Sequence, residues 1–204
     1  MKQRADARTD AILDVVIDLL ESEGYEAVQV RTVARRARIS LTTLYQRFGT
    51  LDELILAALQ RWMQANSYAE LTMPEPGESP YETLVRIMRT VFEPWEKNPR
   101  MLEAYHWARS RAGGEQLIIQ GMGIVMPIVE AALPDADPEF LRDTEMIHAH
   151  VTRAAIARFA QGEIAITDIV PILERALFRL MMTDNRRWTA PPQASTPGRT
   201  TDST

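Results

Sequence analysis

Apolar residues recur along this chain with the 3.6-residue period of an α-helix almost from end to end. Ile12, Val15, Val16, Leu19 and Leu20 fall at i, i+3, i+4, i+7 and i+8, one stripe of a helix. Thr9 or Asp10 is placed to cap its start and Gly24 to stop it. A short second helix carries Val30, Val33, Ala34 and Ala37, a turn follows at 38–40, and a third helix runs from Leu41 to Phe48 with Ser40 as its cap. Thr50-Leu51-Asp52-Glu53 reads as a capping box, in which hydroxyl and carboxylate each satisfy an orphan N–H. It opens a longer helix with Leu51, Leu54, Ile55, Ala58, Leu59, Trp62 and Met63 on one face.

The turn-rich segment 73–79 is the expected domain boundary. Ser79-Pro80-Tyr81-Glu82 is a second capping box, with proline at the first helical position, where its missing N–H costs nothing. Its helix bears Leu84, Ile87, Met88, Val91, Phe92 and Trp95 and ends at Asn98-Pro99. A helix over about 100–109 follows. Residues 115–133 are apolar nearly all round, which predicts a buried central helix bent at Pro127. Helices over 139–161 and 168–182 complete the pattern. The Pro-, Ser- and Thr-rich segment 185–204 is expected to be disordered. With no strand-like alternation, the expected fold is all-α with about nine helices: a smaller unit over 8–67 and a larger unit over 68–184.

Composition narrows the chemistry. Apolar residues make up 46% and charged residues 25%, a globular balance. The absence of cysteine removes thiol nucleophiles, disulfides and thiolate metal sites, and three histidines leave little for a metal centre. His148 and His150 are two apart on a helix and face different ways, while His106 sits between Tyr105 and Trp107 as a core or pocket residue. No phosphate-binding glycine loop, His-Glu-x-x-His or Gly-x-Ser-x-Gly occurs, so no catalytic residue and no cofactor are expected. The alternating charges at 1–6 do not make a signal peptide. The longest apolar stretch, 117–133, is broken by Gln120, Pro127 and Glu130 and does not span a bilayer. The expectation is a cytoplasmic protein with no membrane partner.

The charge of −5 conceals an asymmetry. Between Ala27 and Thr50 there are five arginines (Arg31, Arg35, Arg36, Arg38 and Arg47) and no acid. A basic window on an acidic body points to a polyanion-facing patch, with an ordinary solvated helix face as the competing reading. The same window has helix-turn-helix spacing. In that motif the second helix enters the major groove. Leu41, Thr42, Thr43, Tyr45, Gln46 and Arg47 would then be exposed, and Leu44 and Phe48 would pack inward. Arg31, at the start of the preceding helix, is placed to reach a phosphate or a guanine. A plain helical bundle with a basic face is the alternative.

These residues also carry a resemblance. Gly24-Tyr25-Glu26-Ala27, Val30-Arg31-Thr32-Val33-Ala34, Ile39-Ser40 and Thr43-Leu44-Tyr45-Gln46-Arg47-Phe48 resemble the DNA-binding domain of TetR-type transcriptional repressors. The stretch from Gly24 to Arg31 is similar to actinobacterial repressors of steroid catabolism. The match covers roughly residues 8–67; the remainder agrees only in architecture. Two positions depart from the family pattern. Arg38 stands where glycine is usual, so the turn must adopt an unfavourable backbone conformation or be reshaped. Leu51 stands where a phosphate-contacting lysine is usual, so one backbone contact is expected to be lost, with Arg47 or Arg38 as its replacement.

The resemblance implies a ligand-responsive regulator, a homodimer on a palindromic double-stranded operator. It places Arg31, Leu41, Thr42 and Gln46 against bases and Thr43, Tyr45 and Arg47 against the backbone. Thr32 and Ser40 would cap helices and touch phosphates. It further implies that the larger part encloses a cavity for an apolar inducer, walled by Met88, Phe92, Trp95, Tyr105, His106, Met122 and Met126. The last two helices would pair with their twins through Leu141, Ile147, Val151, Ala155, Ile169, Leu173, Leu177 and Leu180. A helical enzyme acting on an apolar small molecule and a protein–protein adaptor without DNA binding are the rival functions.

Overall fold

The computed structural model describes residues 2–182, and side chains from residue 7 onward. Within them lie nine α-helices: α1 Lys2–Glu23, α2 Val30–Arg36, α3 Leu41–Phe48, α4 Leu51–Asn66, α5 Pro80–Lys97, α6 Pro99–Arg109, α7 Glu115–Ala132, α8 Pro138–Ala160 and α9 Ile169–Met182. No strand occurs among the described residues. The expected disordered tail at 185–204 lies outside them.

The first four helices form a small unit. α1 packs along α4, and α2 and α3 close over one end. Ile12, Val16, Leu19 and Leu20 meet Val33, Leu44, Leu54 and Leu59 in its core. The helix starts follow the polar side chains beside them. Ser40 Oγ accepts the Thr43 N–H at 3.1 Å, and Thr50 Oγ1 accepts the Glu53 N–H at 3.1 Å. The expected box at Thr50 is half formed, because the Thr50 N–H donates to the Phe48 carbonyl rather than to the Glu53 carboxylate. One start differs from expectation. α1 begins at Lys2, so neither Thr9 nor Asp10 caps it. Thr9 lies inside the helix and its hydroxyl accepts a hydrogen bond from Arg47 Nη1 at 2.6 Å. Asp10 and Asp14 bind Arg61 of α4, Asp14 at 3.0 Å, and Trp62 Nε1 donates to Glu21 Oε1 at 2.8 Å. α1 and α4 are thus tied by polar rungs beside their apolar seam.

The larger unit does not stand apart from the first. α6 packs against both α1 and α4, and one continuous hydrophobic core runs through both units. The boundary segment is itself clamped. Arg86 of α5 holds Glu78 by two hydrogen bonds, Nε–Oε1 at 2.7 Å and Nη2–Oε2 at 2.8 Å, and donates to Thr72 Oγ1 at 2.9 Å. The capping box at Ser79 is complete: Ser79 Oγ accepts the Glu82 N–H and Glu82 Oε2 accepts the Ser79 N–H. Arg86, helped by the Glu75 N–H and the Thr83 hydroxyl, holds the Glu78 carboxyl at a pKa of about 2. A carboxyl depressed on folding stabilises the fold above its unfolded value and loses that contribution as pH falls through its folded value. Urea titrations of wild type and Glu78→Gln should therefore differ most above about pH 4.5, with the gap closing towards pH 2. A gap that does not depend on pH would show that the clamp is not carried by the carboxylate.

The all-round apolar pattern of α7 does not make it a central helix. Only Leu117, Ile128 and Ala132 are buried, and Ile119 is 58% exposed. α7 packs on α4 and α5, leaving its remaining apolar face uncovered within the single chain. Its two glycines are unequal. A Cβ on Gly121 would lie 2.8 Å from the buried Tyr68 hydroxyl, whereas one on Gly123 would meet nothing within 4 Å. Gly121→Ala should destabilise the protein by about 1–3 kcal/mol through overpacking. Gly123→Ala should stabilise it by roughly 0.5–1 kcal/mol by favouring the helix. Thermal melts of the two variants check this, and shifts of the same sign would contradict it.

The candidate nucleic-acid interface and the helical body behind it

The short helix α3 is divided cleanly by burial. Leu44 and Phe48 are buried, one turn apart, and anchor it to the core. Leu41 is 41% exposed and Tyr45 51% exposed, with Thr42 and Gln46 exposed beside them. A helix fixed by one face that leaves a leucine and a tyrosine in solvent on the other is built to meet a surface. Ser40 caps α3, and its hydroxyl also shares a 2.8 Å hydrogen bond with Thr43 Oγ1, so these two side chains brace the helix start.

The predicted contact residues are brought together with two adjustments. Arg31 is exposed near the start of α2, and Thr32 is beside it. Thr32 does not cap α2, because Gln29 occupies the N-cap position without a side-chain bond and Thr32 lies within the helix. Arg47 is partly buried against α1, where its bond to Thr9 makes it a brace between α3 and α1. Arg36 is paired with Glu23 at 2.5 Å. Arg31, Arg35 and Arg38 are exposed and have no side-chain hydrogen bond or ion pair among the described residues. Arg35 lies one turn beyond Arg31 on the same face of α2, a position that the i, i+4 spacing alone could have flagged. Leu51, in place of a cation, is partly buried against the core, and Asp52 and Glu53 fill the first turn of α4.

Behind this candidate interface, the predicted cavity wall is arranged as follows. Met88, Phe92 and Trp95 are buried in the common core, Tyr105 and His106 are partly buried on α6, and Met122 and Met126 are partly buried on α7. Trp95 is only 3% exposed and packs between Trp62 of α4, with ring centroids 4.5 Å apart, and Tyr105, 5.5 Å away, both rings tilted to its own. This aromatic column joins α4, α5 and α6. A cavity of about 410 Å³ is lined by Pro80 and residues 132–137, and one of about 380 Å³ by the start of α4 together with Ala112, Gly113 and Gln116. Neither is lined by the seven expected residues. Burial raises the Tyr105 hydroxyl pKa, against the pull of Arg109 and Arg153. Burial and then the neighbouring Tyr105 raise that of Tyr68, so both phenols stay protonated donors. Burial, followed by Arg109, lowers the His106 pKa, and burial lowers that of His148. Thr144 Oγ1 and His148 Nε2 on α8, and Gln120 Oε1 on α7, are buried without a hydrogen-bond partner among the described residues. Nothing in the local pattern marks them.

The expected pairing surface divides in two. Ala155, Ile169, Leu173 and Leu177 are buried within the chain and are not available to a partner. The apolar stripe of a helix does not say which neighbour covers it, and here the neighbour is this chain's own core. Ile147, Leu141, Val151 and Leu180 keep exposure, and Met146 on α8 with Phe178 and Met182 on α9 add exposed apolar surface.

The chain matches two family models. Residues 12–58 match the bacterial regulatory proteins of the tetR family, and residues 77–180 match the tetracyclin repressor-like C-terminal domain. It is 30% identical over 136 residues to the HTH-type transcriptional repressor KstR of Mycolicibacterium smegmatis, covering 64% of this chain and 65% of that protein. The KstR repressor of Rhodococcus jostii is likewise 30% identical over 136 residues, covering 64% of this chain and 62% of its own length. The match thus spans less than two thirds of either relative. These relatives agree with the actinobacterial likeness read at residues 24–31. Among solved structures, a TetR transcriptional regulator from Rhodococcus sp. RHA1 superposes with a TM-score of 0.66 at 21% identity, covering 85% of this chain and 97% of that one, a likeness of fold. With half of the chain matched by the C-terminal model alone and the reader matched by the N-terminal one, the chain belongs to the TetR family of bacterial regulatory proteins.

Proposed function

We propose that this chain is a homodimeric DNA-binding repressor, released from a palindromic operator by an apolar small molecule. The observation that carries the reading is α3, whose inner face is fixed by Leu44 and Phe48 while Leu41, Thr42, Tyr45 and Gln46 stand free at its outer face. Gln46 is suited to adenine and Leu41 to a thymine methyl, and Arg31 and Tyr45 to bases and backbone at the edges. Residues 8–67 serve as the reader and 68–184 as the effector and dimerisation body. Exposed Met146, Ile147, Phe178 and Met182 on the last two helices supply an apolar surface for a second copy.

Release follows from linkage. Two reading helices engage two half-sites only when they sit about one DNA turn apart. A ligand that favours a body with different spacing weakens DNA binding by its differential affinity, and DNA weakens ligand binding equally. A complete switch, from 99:1 to 1:99, takes about 5.5 kcal/mol of that difference. The physical link is α4: its start lies beside α3, and Trp62 near its end packs against Trp95. An apolar molecule lodging beside Trp95 would act on α4 directly.

Footprinting on DNA upstream of the protein's own gene should show two protected half-sites, with two protomers per duplex. Addition of an apolar effector should shift tryptophan emission and remove the footprint together. A protein that binds partner proteins but protects no DNA would be the adaptor instead. Turnover of the apolar molecule would make it an enzyme.

A further inference from the structure

We infer that Arg38, in the turn between α2 and α3, is a DNA-backbone contact held in place against the preference of its own backbone. The inference rests on the DNA-binding reading above. Arg38 has φ of +54° and is the only non-glycine residue with positive φ among those described. The helix end imposes this conformation. The Ala37 N–H donates to Val33 O at 2.8 Å, and the Ile39 N–H reaches back to Ala34 O at 3.0 Å. A bond spanning that many residues closes a helix only when the residue before the donor is left-handed. Glycine adopts that conformation without penalty, whereas a side chain sets Cβ against the following carbonyl. Stability alone therefore favours glycine here, and a strained residue that persists points to work done by its side chain.

The surroundings say what that work is. Of the five arginines between Ala27 and Thr50, Arg36 is neutralised by Glu23 and Arg47 is spent bracing α1. Arg38 is exposed and has no partner among the described residues. It precedes the N-cap Ser40 by two residues, just before the exposed Leu41 and Thr42. At the opposite end of α3 the first turn of α4 carries Asp52 and Glu53 and no cation. With Arg47 turned to α1, a polyanion approaching α3 finds its exposed positive charge on the α2 side, and Arg38 is the exposed arginine nearest in sequence to Leu41 and Thr42. Phosphate contacts of this kind set register and strength without reading sequence.

The test compares Arg38→Gly, Arg38→Asn and Arg38→Lys with wild type, using the full chain and a duplex from its own footprinted region. Arg38→Gly should raise the melting temperature by about 2–4 °C, as relief of a single strained residue does in a protein of this size. It should also weaken binding about tenfold and reduce the slope of log affinity against log salt by roughly one for each protomer. Arg38→Asn, tolerant of the left-handed region but uncharged, should lose affinity and slope in the same way. Arg38→Lys should retain the slope. An Arg38→Gly protein that binds with wild-type affinity and wild-type salt slope overturns the assignment of Arg38 and leaves the DNA-binding reading intact. A wild-type protein that binds no such duplex overturns both.

Discussion

Trp95→Ala is expected to destabilise the protein by about 3–5 kcal/mol, the usual cost of truncating a buried aromatic. Trp95 is 3% exposed and touches rings on two other helices, so truncation removes both its own burial and its ring contacts with Trp62 and Tyr105. Because Trp62 lies on α4, the loss falls on the junction between reader and body rather than on a cavity wall alone. DNA binding should weaken along with stability. Chemical denaturation of wild type and variant measures the effect directly. A change under about 1 kcal/mol would mean that the ring stands beside an adaptable cavity that refills when it is removed.

The second large effect separates the two faces of α3. Phe48→Ala should cost about 3–5 kcal/mol and abolish DNA binding by loosening the reading helix. Tyr45→Ala, at a side chain 51% exposed, should change stability by no more than about 0.5 kcal/mol. Its DNA affinity should nevertheless fall about tenfold or more, equivalent to at least 1.4 kcal/mol of binding. Arg31→Ala should behave as Tyr45→Ala does. Melting and binding measured on the same preparations decide the matter. A Tyr45→Ala protein that unfolds, or a Phe48→Ala protein that melts normally, would mean that α3 is turned the other way.

How much of this was legible in the sequence depended on the range of the forces involved. The caps at Ser40 and Ser79, the hydroxyl half of the one at Thr50 and the buried Leu44–Phe48 face of α3 are decided by neighbours within four residues, and the structure has them as the pattern implies. At Arg38 the resemblance marks a missing glycine and leaves two outcomes open, a strained backbone or a reshaped turn; the structure has the first. The first turns of α1 were not legible, because the charged run before Ile12 has no apolar stripe. Burial in the larger part was harder, since it depends on partners distant in sequence. Ile169, Leu173 and Leu177 form an i, i+4, i+8 stripe that serves a chain core as well as a dimer face, and here it serves the core. The uniform apolarity of α7 marks a helix to be covered on most sides, yet only part of the cover comes from this chain. Trp62, Trp95 and Tyr105 are 33 and 10 residues apart along the chain, so no local pattern could announce their column. Their types marked an apolar site, but only the fold shows them packed on one another.

The central claim, that α3 reads a specific operator with help from backbone charge, is tested most directly by fluorescence anisotropy of a labelled duplex from the protein's own upstream region, titrated over a range of salt. The predicted result is saturable binding by a dimer, at least 10³-fold tighter than to a scrambled duplex at physiological salt. The affinity for both duplexes should fall linearly in log–log form as salt rises, because neutralised phosphates release counterions. Equal affinity for the two duplexes, or binding that does not change with salt, would contradict it.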